Sequence, residues 1–138
     1  MRADDARLRL YVNTAADIDD ETLLTVIRDT LVKNCFIEGR KNFVNISRAV
    51  LLLVRGMDRG ENVVGLFKKV SDALCNERSS KTIERSVRSA VRGAWSRAVR
   101  HGVFEETTLL KYYSGFPRSK DFLRDVAENV MKQLPPEA

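Results

Sequence analysis

The sequence predicts an all-α domain of five to six helices that contains a helix-turn-helix with a long recognition helix. From residue 20 onward, apolar residues recur at three- and four-residue steps, the spacing of one face of a helix. The same region shows no alternation of apolar and polar residues typical of half-buried strands. With 138 residues and 43% hydrophobic content, the chain can bury a core without metals or disulfides.

The N-terminal segment, residues 1–17, is predicted to be an irregular arm preceding one helical domain over residues 18–138. Leu8, Leu10 and Val12 alternate with polar neighbours, but no partner strand is apparent. Acidic residues cluster around residues 17–21. They could suggest metal binding, but the favoured interpretation is negative charge at a helix N-terminus, where the helix dipole stabilises it.

Helical periodicity divides the rest of the chain into segments separated by glycine, proline or polar turns. The predicted helices are Asp20–Lys33, Phe43–Met57, Asn62–Asn76, Ser79–His101, a shorter one over Phe104–Leu110, and Lys120–Gln133 with Ser119 as its cap. The second is apolar nearly all round at Ala49–Val54, which predicts a central position covered by the others. This run is far shorter than the roughly 20 residues of a membrane span, and no membrane partner is expected.

Residues capable of metal or catalytic chemistry are sparse. The two cysteines, Cys35 and Cys75, and the one histidine, His101, do not form the ligand pattern of a zinc site. Each cysteine is expected to be a buried free thiol late in a helix. The glycines form no phosphate-binding loop. We therefore expect no cofactor, no metal and no enzymatic activity. The aromatic residues Trp95, Tyr112 and Tyr113 are expected to pack in the core or against loops.

The predicted helix over Ser79–His101 carries the functional signal. Its apolar stripe comprises Ile83, Val87, Ala90, Val91, Ala94 and Ala98, and its nearly opposite cationic ridge comprises Lys81, Arg85, Arg88 and Arg92. One interpretation is a solvated basic face on an ordinary bundle helix. The polar turn Glu77–Ser79, which joins this helix to the preceding one, instead favours a helix-turn-helix that reads duplex DNA.

Side chains on this helix divide into two sets by the DNA contacts we predict for them. Those in the N-terminal half are predicted to meet base edges: Lys81, Thr82, Glu84, Arg85 and Arg88. Those at the first turn and further along are predicted to meet the sugar-phosphate backbone: Ser79, Ser80, Arg92, Arg97 and Arg100.

The run SSKTIERSVRSAVRGAWSR resembles the recognition helix of the C-terminal effector domain of the stage-zero sporulation response regulator. That family shows a V/I-E-R-A-I-R-H-A-I-E-x-A-W-S-R pattern, whose slots are filled here by Ile83, Glu84, Arg85, Val87, Arg88, Ala90, Val91, Ala94, Trp95, Ser96 and Arg97. The stretches FVNISRAVLLLV, NVVGLFKKVSDAL and PRSKDFLRDVAENV are similar to other helices of the family, so the resemblance covers about Thr22 to Lys132.

This resemblance implies sequence-specific binding of double-stranded promoter DNA by a cytoplasmic, nucleoid-associated transcription regulator. It further implies contact with an RNA polymerase sigma factor and a second protomer in tandem on DNA. Family base contacts match Glu84 and Arg85 here, whereas Thr82 replaces a basic residue and Ser89 replaces a histidine. The family's phosphorylatable receiver domain has no counterpart in this sequence. Two alternatives follow: the chain is an excised effector domain, or it is a stand-alone relative that is regulated by expression, by a partner or by residues 4–21 folding onto the ridge.

A second function from a different class stays open at this point. A helical interaction module could dock an acidic protein partner or RNA polymerase through the same basic face without reading DNA. The salt dependence of DNA binding and the effect of Arg85→Ala on sequence discrimination separate the two hypotheses.

Overall fold

The computed structural model of the protein describes residues 18–58 and 80–134, and this part of the chain is all helical. Its elements are α1 (Asp20–Val32), α2 (Lys41–Asp58), α3 (Ser80–Arg100), 3-10 turns at Phe104–Glu106 and Leu110–Tyr112, and α4 (Ser119–Gln133). The predicted all-α class is confirmed for these residues. The predicted arm 1–17, the predicted helix 62–76 and the turn after it lie outside them, so the helix count and the helix-turn-helix stay predictions.

The centre of α2 lies in the middle of the described helices, as its apolar run predicted. Ala49, Val50, Leu53 and Val54 are buried, and α2 packs against α1, α3 and α4. A helix that is apolar nearly all round is stable in water only when neighbours cover several of its faces. The position of α2 therefore follows from its composition.

The acidic residues at the start of α1 stabilise the first turn of that helix. Asp19 is the N-cap, and its Oδ1 accepts a hydrogen bond from the Thr22 backbone N–H at 2.7 Å. Asp20 forms an ion pair with Arg55 of α2 at 2.9 Å. The hydrogen bonds from Thr22 lower the pKa of Asp19. The interpretation of this cluster as helix-terminal charge is confirmed for the two residues, and neither of them lies on the cationic ridge of α3.

The predicted short helix over Phe104–Leu110 is wrong: two 3-10 turns replace it. In this segment, backbone N–H groups donate to side-chain oxygens, whereas in a continuous helix they would donate to backbone carbonyls. Asn34 Oδ1 accepts from the backbone N–H groups of Leu109 and Leu110, at 2.8 and 3.1 Å. Thr107 has extended backbone angles, and its hydroxyl accepts from the Lys111 N–H at 3.0 Å. The chain therefore turns twice instead of continuing one helix.

The predicted cap of the last helix is also wrong. Arg118 is the N-cap of α4, with no side-chain capping hydrogen bond, and Ser119 is the first helical residue. The Arg118 carbonyl accepts the first helical hydrogen bond, from the Phe122 N–H at 2.9 Å, as the carbonyl of an N-cap residue does. The helix thus begins one residue earlier than its sequence signal indicates.

Two helices end in the same backbone motif but with different residues. After α3, Gly102 has φ +69°, the Val103 N–H donates to Ala98 O, and the Gly102 N–H donates to Val99 O. After α1, Cys35 takes the equivalent position with φ +67°. This pair of hydrogen bonds around a left-handed residue is a Schellman motif, for which glycine is the usual residue. Cys35 therefore lies beyond its helix and is half-buried, unlike the buried helical thiol that the sequence predicted.

Candidate nucleic-acid interface

Packing of α3 fixes which of its faces is presented to the surroundings. The predicted apolar stripe is buried at Val87, Val91, Ala94 and Ala98, each at most 1% exposed. The arginines of the ridge described here, Arg85, Arg88 and Arg92, are all exposed. Because the stripe cannot leave the core without losing its burial, the opposite face with its three guanidinium groups is held outward.

Arg85 and Arg88 are available for an external anionic partner. In residues 18–58 and 80–134 neither of them forms an ion pair. The carboxylate of Asp121 lines a cavity of about 320 Å³ together with Arg88, Arg118 and Lys120, but its ion pair is with Arg124. None of the described carboxylates therefore forms an ion pair with Arg85 or Arg88.

Arg92 belongs to an aromatic cluster beside the ridge. Its guanidinium carbon lies 5.6 Å from the centre of the Phe116 ring. Phe116 contacts Trp95 at a centroid distance of 5.3 Å, and Trp95 meets Phe104 edge-on at 4.7 Å. The predicted packing role of Trp95 is confirmed. A guanidinium over an aromatic face keeps its charge while its position is restricted, so Arg92 is oriented before any partner arrives.

Arg97 lies on a different side of α3 from the ridge and is bound within the protein. At about 100° per residue, it is about 120° around the helix axis from Arg85. Its Nε donates a hydrogen bond to the Cys35 carbonyl at 2.8 Å. Partial burial, followed by the charge of Arg40, lowers the pKa of Arg97. Gly93 leaves space for this guanidinium, because a Cβ there would lie 3.1 Å from Arg97 Nη1.

The remaining predicted contacts divide between described and undescribed positions. Arg100 is exposed at the last turn of α3, next to His101, which is exposed as well. The backbone of Ser80–Glu84 is helical, but the side chains of Ser80, Lys81, Thr82 and Glu84 lie outside the described part of the structure, as does Ser79 altogether. Their DNA contacts stay predictions.

The two tyrosines after α3 have different surroundings. Tyr113 is half-buried, and its hydroxyl donates a hydrogen bond to Asp125 of α4. Burial and the hydrogen bond to Asp125 raise the pKa of Tyr113. Tyr112 is 78% exposed, with the Lys111 ammonium 5.2 Å from the centre of its ring. The expected packing role is therefore confirmed for Tyr113, whereas Tyr112 faces outward.

Cationic residues from other elements border the ridge, and the sequence patterns did not single them out. Arg118 and Lys120, at the start of α4, lie beside Arg88. Arg40, immediately before α2, shares a second cavity with Arg97. Both groups stand where a helix begins after a glycine or proline, at Gly39 and Pro117. Basic residues directly after such breaks are the signal that could have indicated them.

A polar contact ties the N-terminal half of α3 to the start of α2. The Ser86 hydroxyl donates to Asn42 Oδ1 at 2.7 Å and accepts from Asn45 Nδ2 at 3.3 Å. Ser86 follows Arg85 directly in the chain, so this contact helps to fix the position of the ridge relative to α2.

Comparison of the chain with protein-family models, with curated proteins and with solved structures found no match. None of the helices in residues 18–58 and 80–134 is long and apolar enough to cross a membrane. Within the same residues, no group of three or more His, Cys, Asp or Glu side chains is placed to hold a metal ion.

Proposed function

We propose that this chain binds double-stranded promoter DNA in a sequence-specific way, with α3 in the major groove, and thereby regulates transcription. The observation that carries the proposal is the ridge of three exposed arginines, Arg85, Arg88 and Arg92, opposite the buried stripe of a 21-residue helix. A helix with side chains measures about 10–12 Å across, and the major groove is about 12 Å wide. Such a helix can enter the groove with one face while the core holds the other.

The residues of the ridge are proposed to make different DNA contacts, according to the contacts that they make within the protein. Arg85 and Arg88 are exposed and form no ion pair in the described residues, which suits bidentate donation to guanine O6 and N7. Arg92 and Arg100 suit phosphate contacts. Glu84 would accept from cytosine N4, and Lys81 and Thr82 would flank it, as the recognition helix of a helix-turn-helix requires.

The resemblance of α3 to the sporulation regulator's effector domain extends the proposal. The preceding helix, predicted over residues 62–76, would complete the helix-turn-helix. Tandem binding of two protomers and contact with a sigma factor would follow from the same resemblance, as would a role in sporulation and a place at the nucleoid. These are proposals about partners and pathway that the test of DNA binding would open to experiment.

A second candidate function has its own observation. Apolar side chains are exposed close to the arginines: Phe116 at 53%, next to Arg92, and Val99 at 57%, on the same side of α3 as the ridge. Exposed apolar groups bordered by cations are typical of protein-binding surfaces. An acidic protein partner or RNA polymerase is therefore the alternative, in which α3 docks protein and reads no DNA.

The experiment that tests the proposal is selection of bound duplexes from a random DNA pool, followed by fluorescence anisotropy of the enriched sequence and a scrambled one. Arg85→Ala should reduce discrimination between the two by about 1–3 kcal/mol. Arg28→Ala is the matched control, because it removes an equal charge from an exposed position on α1. Affinity should fall steeply with salt, by about 0.9 in log K per log salt for each phosphate contacted.

The outcomes distinguish the two candidates. An enriched motif that loses its advantage only in Arg85→Ala supports sequence reading by α3. Equal, weak binding of all duplexes that disappears at physiological salt contradicts sequence-specific DNA binding and favours the protein-docking alternative.

A further inference from the structure

Two guanidinium groups share one small cavity on the α2 side of the ridge. Arg40 and Arg97 both line this cavity, whose volume is about 180 Å³, and Asn42 and Ser89 add polar side chains to its wall. The described residues that line it include no carboxylate. Two like charges beside one cavity repel each other, and an anion bound between them would offset that repulsion.

The hydrogen bonds of Arg97 leave part of its guanidinium free to bind a ligand. Its Nε is used by the Cys35 carbonyl, which fixes the plane of the group. Arginine has five N–H donors in a planar fork, so the two terminal nitrogens keep their donors for another acceptor. Arg40 is exposed and forms no ion pair in residues 18–58 and 80–134. The charge of Arg40 also contributes to the lowered pKa of Arg97, which indicates that the two groups are electrostatically coupled.

The N-terminus of α2 lies beside the cavity. The Arg40 carbonyl accepts the first hydrogen bonds of α2, from the N–H groups of Phe43 and Val44. The first turn of α2 carries no acidic residue. The positive end of the helix dipole therefore adds to the two guanidinium charges in favour of an oxyanion.

The position of the cavity relative to the ridge favours a backbone phosphate as the source of that oxyanion. Ser89, which lines the cavity, lies about 40° around the axis of α3 from Arg85, about 60° from Arg92 and about 100° from Arg88, and Gly93 lies further round. With the ridge directed at base edges, a helix about 10–12 Å across in a groove about 12 Å wide has its flanks against the sugar-phosphate walls. The cavity lies on such a flank.

We propose that Arg40 and Arg97 together bind one backbone phosphate of the duplex, which fixes the register of α3 in the groove. The inference rests on the proposed function and deepens it. Arg97 then has two roles: its Nε holds α3 to the Cys35 carbonyl, and its terminal nitrogens bind phosphate. Arg40 becomes a DNA-binding residue outside the recognition helix.

The test compares Arg40→Ala with Arg40→Lys and with the control Arg28→Ala, each in the full chain. Arg40→Ala should weaken the enriched and the scrambled duplex alike, by about threefold to tenfold at 150 mM salt, and reduce the salt slope by about 0.9. Arg40→Lys should restore the slope because it keeps the charge. Arg28→Ala should change neither quantity. NMR titration of the Arg97 Nε–H with inorganic phosphate gives a readout without DNA: saturable shifts are expected in wild type and not in Arg40→Ala.

Failure of this inference is distinguishable from failure of the proposed function. If Arg85→Ala abolishes discrimination while Arg40→Ala leaves affinity and salt slope unchanged, DNA reading stands and the phosphate site is overturned. If inorganic phosphate shifts the Arg97 resonance but Arg40→Ala still binds duplex normally, the cavity takes a free oxyanion and the backbone role is overturned. If wild type binds no duplex in a sequence-dependent way, both proposals fall.

Discussion

The two halves of α3 carry similar residues but are held in different ways. In the N-terminal half, Arg85 and Arg88 are exposed and form no ion pair with the described residues. In the C-terminal half, Trp95 packs on Phe104 and Phe116, and Arg97 donates to the Cys35 carbonyl. We call the N-terminal half, whose arginines are exposed, the presented half of α3. We call the C-terminal half, which is held by contacts with other parts of the protein, the anchored half.

This difference shows that an arginine's spacing along a helix does not determine its role. Arg85 and Arg97 are both predicted DNA contacts on the same helix, yet only Arg97 meets a backbone carbonyl from a distant segment. The anchored half gives the presented half a fixed direction, because a helix is rigid over this length. Mutations should therefore separate the two by their effect on stability: damage to the anchored half should reduce the free energy of unfolding, whereas damage to the presented half should reduce DNA binding with little change in stability.

The largest effect on stability is expected from Asn34→Ala, because Asn34 holds the turns that follow the anchored half of α3. Asn34 is fully buried, donates to Thr30 O and to the Thr108 hydroxyl, and accepts from the N–H groups of Leu109 and Leu110. The loss leaves buried backbone groups unpaired and should reduce the free energy of unfolding by about 3 kcal/mol. Urea denaturation measures the change.

The control is Asn129→Ala, on the half-buried part of α4, whose amide oxygen accepts one exposed hydrogen bond from Gln133 and which should cost about 0.5–1 kcal/mol. A change of under about 1 kcal/mol in Asn34→Ala would show that water replaces the lost amide and that the turns after α3 do not depend on it.

Two substitutions at the left-handed residues of the Schellman motifs should change the stability of the protein in opposite directions. Gly102→Ala places a Cβ on a residue with φ +69° and should destabilise the protein by about 1–2 kcal/mol. Cys35→Gly relieves the strain of a side chain at φ +67° but also removes the packing of the half-buried thiol. The net result should be a stabilisation of about 0.5 kcal/mol. Thermal unfolding of both variants under reducing conditions checks the signs, and destabilisation by Cys35→Gly would mean that thiol packing outweighs backbone strain.

A smaller stability effect should separate the two arginines directly. Arg97→Ala removes the hydrogen bond to Cys35 O and should reduce the free energy of unfolding by about 1 kcal/mol, since the group is partly exposed. Arg85→Ala should change it by no more than about 0.5 kcal/mol. Denaturant titrations of the two variants, run beside wild type, provide the comparison. Equal losses would contradict the division into an anchored and a presented half.

The smallest effect concerns acid stability at the start of α1, far from either half of α3. The hydrogen bonds from Thr22 lower the pKa of Asp19 in the folded state. Its contribution is therefore present above the unfolded pKa of about 3.9 and is lost as the pH falls through the folded pKa. Asp19→Asn keeps a good cap without a titrating group. Between pH 6 and pH 2.5 the free energy of unfolding should fall less steeply in Asp19→Asn than in wild type. Identical pH profiles of the two proteins would show that the cap does not depend on charge.

Much of the described fold could be predicted because helix faces depend on local spacing. The stripe Val87, Val91, Ala94 and Ala98 is buried as predicted, and the bounds of the four long helices agree within two residues with those expected. The failures at Ser119 and at residues 104–110 differ in cause. The helical hydrogen bonds of α4 start at the Arg118 carbonyl, one residue before the expected cap, whereas the N–H groups of Leu109 and Leu110 bond to Asn34, which the local pattern does not specify.

Periodicity in the sequence determined by itself that this domain is helical, that α2 is central and that α3 has a basic face opposite an apolar one. Only the tertiary structure decided which arginines of α3 are bound within the protein, because their partners come from far along the chain. Arg97 meets a carbonyl 62 residues away, and the Asn34 amide meets backbone groups 75 and 76 residues away. Pairings at such separations depend on how the helices pack, and packing brought Arg40 and Arg97 to one cavity.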